Sequence, residues 1–165
     1  MAIDPEELRR TAAASRKNID AEYERKYGAA RQAELAAESK RRDAQGAQQR
    51  YDEERSKLEE MNPQRAAERL MQRAASEGKT AANLVLGEYN DDKLEYYGSD
   101  RPSRRAATDV AQQTADSLNA IPGVRARVEV QDGTKTSKFH DWPNRNSSVE
   151  VPTKKVIVHV DVDPK

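Results

Sequence analysis

Along the first half of the chain the large apolar residues are few and widely spaced; along the second half they alternate with polar ones. Leu8, Ala12, Ser15, Ile19, Tyr23, Tyr27 and Ala30 fall three or four apart, the spacing of one helical face. Leu8, Ile19 and Ala30 recur every 11 residues, which predicts a nearly straight or slightly right-handed seam rather than the left-handed one of a heptad. The stretch AAESKRRDAQGAQQR, residues 36–50, marks the seam only with small side chains.

Helix formers of low cost (Ala, Glu, Lys, Arg, Gln) dominate from Leu8 to Gly78. Asp4-Pro5-Glu6-Glu7 is a helix start, with Asp4 placed to cap, Pro5 at the first helical position and Glu7 three residues on. The next firm break is Asn62-Pro63, since proline keeps the preceding residue out of helical angles. Helices are therefore predicted over about 5–61 and 63–77, with Gly78 as the stop. The first would be roughly 85 Å long at 1.5 Å per residue. Unbroken, it would suit a coiled coil; a tight turn over residues 43–47, around Gly46, would fold it into a helical hairpin instead.

Residues 82–98, ANLVLGEYNDDKLEYYG, carry two apolar runs around Asn90-Asp91-Asp92 and read equally as a β-hairpin or as more helix. Ser103 to Ala120 is helical, with Ala107, Val110, Ala111, Thr114, Leu118 and Ile121 on one face. Pro122-Gly123 turns the chain into a strand over 124–130, and Asp132-Gly133 is a hairpin signal. A polar, turn-rich stretch containing Trp142-Pro143 follows. Val149 to Val162 is the strongest strand, with Val156, Val158, Val160 and Val162 on one face. This is the rhythm of small α+β modules of the ferredoxin-like or ring-building type, a likeness of architecture alone. The expected fold is α+β: a helical arm over 1–78, then a small domain over 79–165 in which a helix packs on an antiparallel sheet of two to four strands.

Composition sharpens the division. Charged residues make up 35% of the 165-residue chain and aromatic residues 5%, so core material is scarce and falls mostly after residue 80. Lysine plus arginine balance aspartate plus glutamate at 29 each, 16 against 16 up to Gly78 and 13 against 13 beyond it. No net field favours nucleic acid, whose sequence-independent binding rests on releasing counterions from many phosphates. The absence of cysteine excludes disulfides, thiolate metal sites and cysteine nucleophiles. The N-terminus has no apolar signal core, and no run of about 18 apolar residues occurs. The expected setting is soluble and reducing: cytoplasmic at synthesis, with a virion or other large assembly as a possible destination.

Candidate chemistry is sparse. His159, Asp161 and Asp163 share the strand face opposite the valines, and with His140-Asp141 they contain divalent-metal ligand types; the plainer reading is the polar face of a terminal strand. Ser137 and Ser147 flank His140 without the strained strand-to-helix turn of a nucleophile elbow. No glycine-rich phosphate loop is present. Basic clusters at Lys40-Arg41-Arg42 and Arg101, Arg104, Arg105 each have acidic neighbours, while Lys135, Lys138, Phe139 and Trp142 could meet bases.

These features point to a non-enzymatic structural or assembly protein without cofactor or metal. Its helical arm would oligomerise with itself or dock on other protein subunits of a phage particle or bacterial machine, through Leu8, Ile19, Tyr23, Tyr27, Leu35, Tyr51 and Leu58. The alternative is a nucleic-acid-binding accessory protein or metal-dependent nuclease built on residues 79–165.

Overall fold

A computed structural model describes residues 5–91, 100–141 and 145–163. The elements are α1 (Pro5–Glu60), α2 (Pro63–Ser76), β1 (Ala81–Asn90), α3 (Arg101–Asn119), β2 (Val124–Asp141) and β3 (Arg145–Val162). The fold is α+β, with a long N-terminal helix followed by a small domain containing a three-stranded antiparallel sheet. The chain divides into two compact units, residues 1–46 and 47–165. This division falls inside α1.

The helix bounds follow from local chemistry. The hairpin turn considered over residues 43–47 does not form: α1 runs through Gly28 and Gly46, and neither adopts positive φ. A helical glycine costs only about 1 kcal/mol relative to alanine, and its neighbours here are good helix formers. Asn62 breaks the chain in the left-handed region at φ 47°, and its side chain accepts from the Arg65 amide at 3.3 Å as α2 begins at Pro63. At the other end Gly78, at φ 75°, donates to Ala75 O at 3.0 Å while Lys79 donates to Ala74 O at 2.8 Å. This paired closure satisfies the last carbonyls and needs the glycine.

In the second unit the strand order is β1-β3-β2, with β3 central and antiparallel to both neighbours. Val156, Val158 and Val160 are buried beneath α3, which contributes Ala107, Val110, Ala111, Ala115 and Leu118. Val162, expected on the same face, is 36% exposed where the strand ends. Leu58 of α1 and Ala67 of α2 belong to the same core, which is why the unit starts well before residue 79.

β1 settles the first half of residues 82–98 as a strand; residues 92–98 lie outside the described ones. A register shift between Val85 and Gly87 inserts Leu86 as an extra residue, so Leu84, Leu86 and Tyr89 all reach the core side. Gly87 is required there, because a Cβ would stand 2.7 and 2.8 Å from Cζ and Cε2 of Tyr89.

Asp132-Gly133 is not a hairpin turn. β2 continues through it to Asp141, and Gly133 pairs with Thr153. Its glycine serves close approach: a Cβ would meet Thr153 Oγ1 at 2.9 Å and Glu88 Oε1 at 3.4 Å. The polar stretch before Ser148 is likewise strand, up to Asp141 and again from Arg145, and Trp142-Pro143 lies outside the described residues.

Candidate interaction surfaces

Within residues 5–46 every residue is exposed except Gly28 and Gly46, which are intermediate. Leu8, Ile19, Tyr23, Tyr27 and Leu35 are 58, 63, 64, 53 and 58% exposed. At about 100° per residue, Leu8, Ile19, Tyr23 and Tyr27 share one side of the helix, while Leu35 stands about 160° round from Ile19. The tyrosines stack on each other, ring centroids 4.7 Å apart and planes tilted by 43°. Polar support on this segment consists of pairs four residues apart, such as Arg42 to Glu38 at 2.6 Å and Arg10 to Glu6 at 3.9 Å. Each contributes only about 0.2–0.5 kcal/mol.

Two of the seven predicted contact residues have other roles. Leu58 is 1% exposed in the core of the second unit. Tyr51 donates its hydroxyl to Asp109 Oδ2 at 2.5 Å and lies under the Arg105 guanidinium, 4.8 Å from ring centroid to Cζ. The Asp109 acceptor, then burial, pushes the Tyr51 hydroxyl pKa upward. Glu54, between them on the same face of α1, accepts from Tyr89 Oη at 2.7 Å. Burial and then Glu54 raise the Tyr89 pKa in turn. Spacings of three and four from Tyr51 to Glu54 to Leu58 look alike in sequence whether the face meets a partner or the chain's own domain.

The residues proposed for chemistry are dispersed. His159 Nδ1 lies 2.7 Å from Asn83 Oδ1, and its Nε2 lies 2.7 Å from Glu129 Oε2 but without hydrogen-bond alignment. Asp163 pairs with Arg125 at 2.9 Å. On β2, His140 stands opposite Asn146 whereas Arg127 stands opposite His159; those 13 residues of strand span about 43 Å. Among the described residues no three metal-ligating side chains come together. The backbone of Ser137 and Ser147 is extended and paired in the β2–β3 ladder.

The basic residues are largely engaged. Arg104 pairs with Asp91, Arg105 covers Tyr51, and Lys154 contacts Asp132 and lies 3.7 Å from Asp91. Lys135 is exposed, and Trp142 lies outside the described residues. No described helix is long and apolar enough to cross a membrane.

Sequence reasoning missed Asn119. At the end of α3 its side-chain amide accepts from the Ala126 amide at 2.7 Å and donates to the Ala126 carbonyl at 3.0 Å. It thereby fills both backbone groups that Ala126 turns away from β3. An asparagine three residues before Pro122-Gly123 is consistent with a helix end, and nothing in its spacing indicates a strand edge.

No family model, curated protein or solved structure matches this chain.

Proposed function

We propose that the protein is a non-enzymatic assembly subunit that associates with copies of itself through the apolar stripe on α1. The observation that carries this reading is the stripe: Leu8, Ile19, Tyr23 and Tyr27, each more than half exposed, on one side of a helical segment that buries nothing. Single exposed apolar residues are ordinary; a row of them along one face of a helix is the pattern of an interface. Ion pairs of a few tenths of a kcal/mol are weak support for so long a helix, whereas tertiary or quaternary burial of an apolar face is the usual source of helical stability. The alanines at 36, 37, 44 and 47 would let a second backbone approach closely. The second unit, with a core of its own, would be carried by such an assembly and supply further contacts.

The test is the light-scattering mass of the full chain and of its Ile19→Asp variant, with thermal unfolding of both. The expected result is an oligomer whose mass falls on substitution while the melting transition of residues 47–165 stays in place. An unchanged mass for the variant, or a wild-type chain that is monomeric across a concentration series, would sink the reading.

A further inference from the structure

The two edges of the sheet are finished differently. The β1 edge is interrupted by the Leu86 bulge, and its last residue, Asn90, donates its amide to Asp100 Oδ2 at 3.1 Å. Bulges and side-chain plugs are the usual means of blunting an edge. On β2 the register with β3 is unbroken from Val124 to Asp141. Backbone groups therefore alternate without a slip along the whole strand.

Ala126 shows which positions face outward. Both its backbone groups bind Asn119 instead of β3, and the Val124 amide likewise points away, to Ile121 O at 3.1 Å. By period-2 alternation Val128, Val130, Asp132, Thr134 and Thr136 also direct their N–H and C=O away from β3. Among the described residues no backbone or side-chain partner fills these groups. Val130, Asp132, Thr134 and Thr136 are exposed, Val130 at 43% although it is apolar. The edge is thus closed at its first two outward positions and open for the next five, a length of about 27 Å.

We propose that this open edge, Val128 to Thr136, pairs antiparallel with the same edge of a second copy, making a continuous sheet ordered β1-β3-β2-β2-β3-β1. Charge complementarity selects the second copy and the register. Centred on Asp132, the pairing sets Glu129, whose carboxylate accepts from Gln131 Nε2 at 3.1 Å and lies 2.7 Å from His159 Nε2 within its own copy, opposite Lys135 of the second copy, and Lys135 opposite the other Glu129. On the other face Val130 meets Thr134 and Val128 meets Thr136. All five open positions are used, and Ala126, already filled by Asn119, is left out. Centred on Val130 instead, the pairing would set Thr134 against the occupied Ala126 and Arg125 against Lys135. The two Asp132 side chains meet at the axis, where each contacts its own Lys154, a lysine that also lies 3.7 Å from Asp91. This contact is separate from the stripe on α1 and does not depend on it.

The experiment uses the full chain, with and without Ile19→Asp, so that failure of the stripe and failure of the edge are read independently. Val130→Pro removes an outward amide that the β3 ladder does not use, and Lys135→Glu opposes Glu129 of the second copy. Sedimentation mass across a concentration series is the readout, with circular dichroism to verify folding. The Ile19→Asp protein is expected to remain dimeric, and addition of Val130→Pro or Lys135→Glu should reduce it to a monomer, a twofold loss of mass. Glu129→Lys combined with Lys135→Glu should restore the dimer. If Val130→Pro unfolds the domain, the charge swap alone decides. A monomeric Ile19→Asp protein, or a dimer indifferent to Lys135→Glu, overturns the proposal.

Discussion

Asp91 illustrates how single residues of the second unit are tied together. Burial pushes its carboxyl pKa up, but the hydrogen bond from Arg104 and the charges of Arg104, Lys154 and Arg101 outweigh it and hold the group below its ordinary value. With the folded pKa depressed, the stabilisation is present above the unfolded pKa of about 3.9 and is lost as pH falls through the folded value. The melting difference between wild type and Asp91→Asn should therefore be full near neutral pH and shrink below about pH 4. Leu58 and Asn119 offer sharper tests. Leu58→Ala should cost about 2–5 kcal/mol in denaturant unfolding, as for a core leucine; a surface contact residue on a free helix would show almost none. Asn119→Ala leaves the amide and carbonyl of Ala126 without their partner and should cost about 1–2 kcal/mol. Neither role can be read from sequence: the burial of Leu58 depends on residues far along the chain, and the capping by Asn119 depends on how the 120–123 turn brings Ala126 back to it.

At the scale of elements, α1 combines two regimes in one helix. Its last turns are held by Tyr51, Glu54 and Leu58, whereas residues 5–46 have local pairs alone. Helicity of that segment should consequently depend on association: the circular dichroism signal at 222 nm should rise with protein concentration in wild type. A concentration-independent signal would indicate a segment that is helical without a partner. The helices were legible almost to the residue, because Pro5, Asn62-Pro63 and Gly78 act through local backbone geometry; Asp4, the expected cap, lies outside the described residues. The strands were less so. β3 announced itself through alternating valines, but Asp132-Gly133 misled, since a glycine demanded by Thr153 and Glu88 looks the same in sequence as one demanded by a turn.

At the scale of the whole molecule, residues 47–165 form one compact unit around a shared core. A fragment of that span should unfold cooperatively, whereas 79–165 should not, because it lacks Leu58, Ala67 and Ala74, which are 1, 1 and 7% exposed. Calorimetry of the two fragments separates the outcomes; equal cooperativity would mean that α1 and α2 contribute little to the core. The two proposed contacts, a helical stripe and a strand edge, would give one subunit two separate means of association.

By itself the sequence determined the helix bounds, the α+β class and, through the lack of cysteine, the exclusion of disulfides and thiolate sites. Those properties depend on φ/ψ preferences and on periods of 3.6 and 2, which act between residues close in the chain. Only the tertiary structure decided that Leu58 faces inward, that the unit begins at Ala47, that β3 is central and that Asn119 closes one end of the β2 edge. The first three depend on which surfaces meet across long separations, and an amphipathic face carries no mark of the surface that will cover it; the last depends on the path of the turn between α3 and β2, which side-chain spacing does not record.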